Sequence, residues 1–250
     1  MMNRPTILCA GLLAACLATA CASSGPKLTR MTPDELYAYA SERADAHKWR
    51  DAIAAFERFT FEYPTNPRYQ EARYRLSQAH FGAKEYITAA TEYARLAMDF
   101  PAGPWADESR FGVCDSYYRL SPRVELDQEY TNAAIEHCEA LISYHPDSPL
   151  VPRAQEMIRE MRDKLAMKLY NAGTYYERRR APDSAIEYYK RTADTYPTTS
   201  VAPRALLRLV RLYEQLQYQD EAQAARARLL KDYPASAEAK GLEKGAVAGT

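Results

Sequence analysis

The chain of 250 residues carries 33 basic and 33 acidic side chains and is 47% apolar. That balance suits one medium globular body or a short repeat array, and it argues against disorder and against nucleic acid as a partner, because a phosphate-binding surface needs excess Lys and Arg to displace counterions; a local basic patch stays open. With only 9 glycines but 20 tyrosines, it has few flexible joints and many amphipathic rings able to build helix contacts and binding surfaces.

In chain order the first element is an export address. Arg4 supplies one positive charge, and Thr6 to Ala20 is an uncharged run of apolar and small residues. At 1.5 Å per residue the run spans about 22 Å, short of the roughly 30 Å hydrocarbon layer, so a cleaved secretory signal over residues 1–20 is expected in place of a membrane span. It ends Leu17-Ala18-Thr19-Ala20-Cys21 and resembles the lipobox of bacterial lipoproteins, in which Cys21 becomes the lipidated first residue. Leu13-Ala14-Ala15-Cys16 is a rival, but cutting there shortens the apolar core, and Cys21 is preferred. Ala22, standing where an Asp would retain a lipoprotein elsewhere, implies sorting to the outer membrane. Several acyl chains, at about 0.8 kcal/mol per buried methylene, make the anchor durable. Residues 21–32 then read as a linker.

A repeat governs the rest. The segments FEYP, MDFP, SYHP, DTYP and KDYP place an aromatic ring before Pro64, Pro101, Pro146, Pro197 and Pro234, and twelve residues upstream stand Ala52, Ala89, Ala134, Ala185 and Ala222. Apolar residues between alanine and proline recur at helical spacing, and each proline ends a helix because it lacks an amide hydrogen and disfavours the α region before it. Amphipathic segments upstream of each alanine, over 36–46, 72–82, 111–120, 165–178 and 205–216, predict a second helix per unit.

Prolines 64, 101, 146, 197 and 234 lie 37, 45, 51 and 37 residues apart, longer than a basic period of about 34. In unit three, Ser121 to Tyr130 reads as an inserted loop of about eight residues. Before unit four, Arg153 to Arg180 contains no proline, and Ala154, Met157, Ile158, Met161, Leu165 and Leu169 keep one apolar stripe. That predicts one helix of about 28 residues, roughly 40 Å long, joining units three and four. The tail over 239–250 is expected to fray.

The signature resembles the tetratricopeptide repeat (TPR): Trp49 or Tyr86 before the second helix, the small alanine within it, Phe56, Tyr93 or Tyr189 four residues on, and the final proline. The fold class is therefore all-α, a TPR-type solenoid of five helix pairs whose stacking is obligatory, because one pair cannot bury its apolar face. Small residues at the contacts let helix axes approach.

Lipobox, five units, the unit-three insertion, the extended helix, and the openings Pro33-Asp34-Glu35-Leu36-Tyr37 and Trp49-Arg50-Asp51-Ala52-Ile53 together resemble the BamD family, lipoprotein subunits of the outer-membrane β-barrel assembly machine. The resemblance implies a client-facing segment over 33–101 and a scaffold-docking segment over 102–238. The implied partners are the periplasmic domains of a BamA-like barrel protein, unfolded β-barrel clients, other lipoproteins of the machine, and the membrane through the anchor. TPR modules line their concave face with first helices, so Tyr37, Ser41, Tyr74, Gln78 and Phe81 are the implied client groove. Where a partner-facing arginine of the family is sought, the chain carries Tyr188 and Tyr189. Arg178, Arg179 and Arg180, at the turn of unit four, are candidate docking forks for acidic groups; the plainer reading is a solvated helix C-terminus, where cations are favoured anyway.

Once the signal is removed, Cys114 and Cys138 remain in an oxidising compartment. Bonded, they would close a loop of about 24 residues, worth about 3 kcal/mol; unpaired, they would be small apolar fillers, the reading that cysteine packing favours. His47, His80, His137 and His145 follow no zinc spacing, so no metal site is expected, and no phosphate loop, nucleophile elbow or carboxylate pair recommends catalysis. The lipid on Cys21 is the one expected covalent group, with no other cofactor. The competing function is a periplasmic TPR adaptor for cell-wall or envelope-constriction enzymes, resembling Tol-Pal coordinators or pilotins, from which the long joining helix discriminates.

Overall fold

The computed structural model describes residues 28–247, so the signal over 1–20, Cys16, Cys21 and the last three residues lie outside the described part. Among the described residues there are eleven α-helices and no strand: α1 (Pro33–Asp45), α2 (Trp49–Glu62), α3 (Tyr69–Gly82), α4 (Tyr86–Asp99), α5 (Ala106–Leu120), α6 (Glu129–Tyr144), α7 (Val151–Arg178), α8 (Pro182–Thr195), α9 (Ala202–Gln215), α10 (Gln219–Asp232) and α11 (Ala237–Val247). Each helix from α1 to α10 packs chiefly on its sequence neighbours. Four apolar clusters therefore pass the core along the chain, from α1–α3 through α3–α5 and α5–α7 to α7–α11. This is the five-pair TPR solenoid, stabilised by nearest-neighbour interfaces.

The repeat chemistry is visible at both ends of each pair. Tyr63, Phe100, His145, Tyr196 and Tyr233 are the C-caps of the second helices, each donating its N–H to the carbonyl four residues back. The five alanines sit at the helix contacts, with Ala52, Ala89, Ala134 and Ala185 at 0% exposure and Ala222 at 4%. α1 opens with a capping box in which Thr32 and Glu35 bond each other's backbone N–H groups, and at the start of α11 the Ser236 hydroxyl accepts from the N–H of Ala239; α7, α8 and α9 open on prolines instead. The first helices of units one, two, four and five turn into their partners through His47, Lys84, Arg180 and Gln217, all at φ between 56° and 66°. The next N–H reaches five residues back, as Lys48 to Arg43 and Glu85 to His80, a motif that glycine fits best.

The inserted loop of unit three is tied down. Buried Gln128 donates to the Arg123 and Leu126 carbonyls and accepts from Thr131, while Lys164 and Lys168 of α7 donate to Ser121 and to the Leu126 carbonyl. The long helix α7 has 28 residues. Its buried stripe matches expectation up to Leu165 and then runs through Ala166, Tyr170 and Gly173; Leu169 is only partly buried, since the stripe rotates as the helix passes from α6 to α8. Asp163 fastens its middle by accepting from the N–H and hydroxyl of Ser200.

Two expectations need correction. The tail is helical to Val247: Ala239 is 1% exposed and Leu242 packs on the last cluster, because α9 would otherwise leave an apolar flank in water. Cys114 and Cys138 are bonded, with Cα atoms 4.9 Å apart, against the filler reading. Cys138 stands four residues after Ala134, the place held by Phe56, Tyr93 and Tyr189 elsewhere, so a covalent staple between α5 and α6 replaces the ring wedge.

Reducing the disulfide should lower stability by about 3 kcal/mol, read as a shift in the urea midpoint; an unchanged midpoint would show that the bond contributes nothing to the folded balance. Lys84→Gly should raise stability by about 1 kcal/mol by relieving the left-handed residue, and a lower melting temperature would contradict that.

Candidate functional site

First helices present matching faces at spacings of three and four residues, and stacked units line these faces up. The result is a groove of about 620 Å³. Ala44 and Asp45 come from α1; Tyr74, Arg75, Gln78, Phe81 and Gly82 from α3; Glu108, Phe111, Gly112 and Asp115 from α5. Trp49, Tyr93 and Leu150 reach in from behind.

Its floor is made by rings lying on glycines. A Cβ at Gly82 would meet the Trp49 ring at 2.6 Å, and one at Gly112 would meet Tyr93 at 2.6 Å. Tyr74 stacks on Trp105 with centroids 4.5 Å apart, and Gln78 donates to its hydroxyl at 3.1 Å. The aromatic surface is thus held in place before anything binds.

Three carboxylates, Asp45, Glu108 and Asp115, face one arginine, Arg75, which pairs with Asp45 at 3.6 Å. Burial pushes the Asp115 carboxyl above the ordinary range, against the pull of Arg119 and Arg153. Burial likewise raises the Tyr74 hydroxyl, helped by Glu108. A groove of fixed rings edged with acceptors is suited to backbone N–H donors and apolar side chains of an extended segment.

Of the five implied groove residues, Tyr74, Gln78 and Phe81 line it, and Tyr37 and Ser41 do not. Tyr37 is 9% exposed, its ring edge-on to Phe56 and Phe59 at 6.0 and 5.6 Å, and burial drives its hydroxyl up to about 12. The contact of α1 with α2 takes up that ring, so α1 meets the groove only at its last turn. Glu108, Phe111 and Asp115 were legible by continuing the first-helix spacing into unit three; Trp49 and Leu150 depend on packing between units.

Arg178 ends α7, Arg179 caps it and Arg180 holds the left-handed turn, all three exposed. Arg180 borders a second hollow of about 470 Å³ with Glu177, Pro182 and Leu212. Tyr188 and Tyr189 are packing residues: Tyr189 is 0% exposed, donates to Glu177 and lies on Gly173, while Tyr188 stacks on Tyr176. The histidines have structural neighbours: His80 contacts Glu85, His145 contacts Asp107 and Arg110, His47 stacks on Trp49 and His137 on Tyr117. Among the described residues no three potential metal ligands cluster.

Because the Asp115 pKa is raised in the fold, its ionised form costs stability that the protonated form does not. That cost sets in as pH rises from below 3.8 through the raised value. Asp115→Asn should therefore gain stability relative to the parent across that window and keep the gain at pH 7. Melting curves at both ends would check it, and a gain confined to acid pH would refute it.

The profile of the family described as YfiO, outer membrane lipoprotein, matches residues 29–230. Three proteins named outer membrane protein assembly factor BamD are similar. That of Caulobacter vibrioides is 25% identical, covering 93% of this chain and 77% of its own length. That of Rickettsia prowazekii is 26% identical over 77% and 76%, and that of Vibrio cholerae 24% over 82% and 90%. The TPR2AB domain of yeast Sti1 in its pHSP90 complex is 14% identical with a TM-score of 0.44, covering 83% of this chain and 80% of that one. Matched across most of its length and all five helix pairs, the chain belongs to the YfiO family of outer membrane lipoproteins.

Proposed function

We propose that this chain is a non-catalytic scaffold of outer-membrane β-barrel assembly, held by a lipid on Cys21 at the periplasmic face of the outer membrane. The observation that carries the reading is the family match over residues 29–230. The groove supplies the chemistry: Tyr74, Phe81 and Phe111 offer ring faces to an aromatic-ended strand of an unfolded barrel client, and Asp45, Glu108 and Asp115 accept from its backbone N–H groups. No helix of the described residues is long and apolar enough to cross a membrane, in keeping with attachment by lipid. Arg178, Arg179 and Arg180 point units four and five toward carboxylates on the periplasmic domains of a BamA-like barrel protein; other lipoproteins of the machine complete the assembly. The scaffold reading calls for binding at the groove and at the arginine turn and for no catalytic step at either.

A C-terminally tagged chain taken from envelopes in mild detergent should retain a barrel protein with repeated periplasmic domains as stoichiometric partner. Recovery of cell-wall enzymes instead would move the chain to the adaptor class. In the purified protein, Tyr74→Ala or the exposed-site change Gln78→Arg should weaken binding of an aromatic-ended β-strand peptide by about tenfold with helicity preserved. Arg179→Glu should leave peptide binding intact and reduce barrel-protein recovery. Loss of both bindings from one change would merge the two surfaces and sink their separation.

A further inference from the structure

Phe61, Met98 and Tyr144 have the highest exposures of the large apolar side chains among the described residues, at 86%, 76% and 66%. Each occupies one of the last two positions of a second helix, α2, α4 or α6. Consecutive helices run antiparallel through short turns, so these ends share one edge of the solenoid with the start of α1. The remaining exposed large apolar residues stand toward the opposite edge, and none exceeds 52%.

The pattern follows the repeat register. Three residues before each terminating proline stand Phe61, Met98, Ser143, Asp194 and Lys231; in unit three the exposed ring moves one place on, to Tyr144. The edge is therefore apolar along units one to three and charged along units four and five. The carboxylates beside the first two apolar groups are paired, Glu62 with Arg58 and Asp99 with Arg73, and the Arg110 guanidinium lies 4.3 Å from the Tyr144 ring centre. Carboxylate repulsion by anionic headgroups is thereby reduced where the apolar side chains emerge.

The chain also enters on this edge. Leu28 and Met31 pack against the unit-one cluster just ahead of α1. Leu28 lies seven residue steps after Cys21, a reach of at most about 25 Å. A lipid on Cys21 holds this edge near the bilayer, with the opposite edge roughly 20 Å farther out by helix length.

We infer that Phe61, Met98 and Tyr144 form a membrane-contacting edge, seated in the headgroup region of a phospholipid bilayer, that orients units one to three against the surface to which the chain is anchored. This rests on the reading of Cys21 as the lipidated residue. The side chains fit the place: amphipathic and apolar groups collect at the headgroup boundary, and a second membrane contact turns a lipid tether into a fixed orientation.

The test places a photo-crosslinking benzophenone amino acid at 61, 98, 87 or 218 in the full chain and irradiates intact envelopes. Phospholipid adducts, counted by mass spectrometry, should be about tenfold more frequent at 61 and 98 than at 87 and 218. Equal adducts at all four sites would overturn the edge, and so would polypeptide adducts at 61 or 98, which would assign the edge to a protein. The mass of the N-terminal peptide from the same sample scores the anchor separately; an unmodified Cys21 would remove the tether and leave the cross-links to decide the edge.

Discussion

Close approach of helices at a buried alanine, with a bulky group wedged four residues on, is the contact from which the rest of this structure follows. Ala52, Ala89 and Ala185 have no exposed surface, and Phe56, Tyr93 and Tyr189 fill the space beside them. Rings this close leave no room opposite, so Gly112 lies under Tyr93 and Gly173 under Tyr189. Unit three solves the same problem covalently, with Cys138 bonded to Cys114 where a ring would stand. That unit also carries the inserted loop, and the bond clamps the helix pair the loop would otherwise separate.

The groove is a consequence of that stacking. A pair that cannot bury its own face must lean on the next pair, and first helices then align their turns on one side. Tyr74, Gln78 and Phe81 come together with Phe111 and Asp115 because α3 and α5 are consecutive first helices. Gly82 beneath Trp49, Gly112 beneath Tyr93, and Trp105 stacked on Tyr74 fix the aromatic floor. A surface ordered in advance loses little conformational entropy on binding.

Along the solenoid the chemistry changes while the fold does not. Units one to three carry the aromatic groove and the apolar edge, and units four and five carry the exposed arginine turn and charged edge positions. The helix α7 joins the halves as one continuous rod, with one end packed on α6 and the other on α8, so the halves are not free to hinge as independent bodies would be.

By itself the sequence determined the number of units, their boundaries and the long joining helix, because alanine, ring and proline act locally through helix contact, cap and stop. The ring-proline ends became C-caps at all five sites, and the proline-free run became α7. What a residue faces is decided by neighbours distant in the chain, and there local periodicity runs out. Tyr37 and Tyr74 hold like positions on first helices, yet α2 absorbs the first into a core while the second stays at the groove. The pairing of Cys114 with Cys138 and the docking of α11 on α9 likewise required helices to be set side by side. Tertiary structure alone decided these, because burial of apolar area depends on which surfaces meet and a one-dimensional pattern marks only which surfaces are able to.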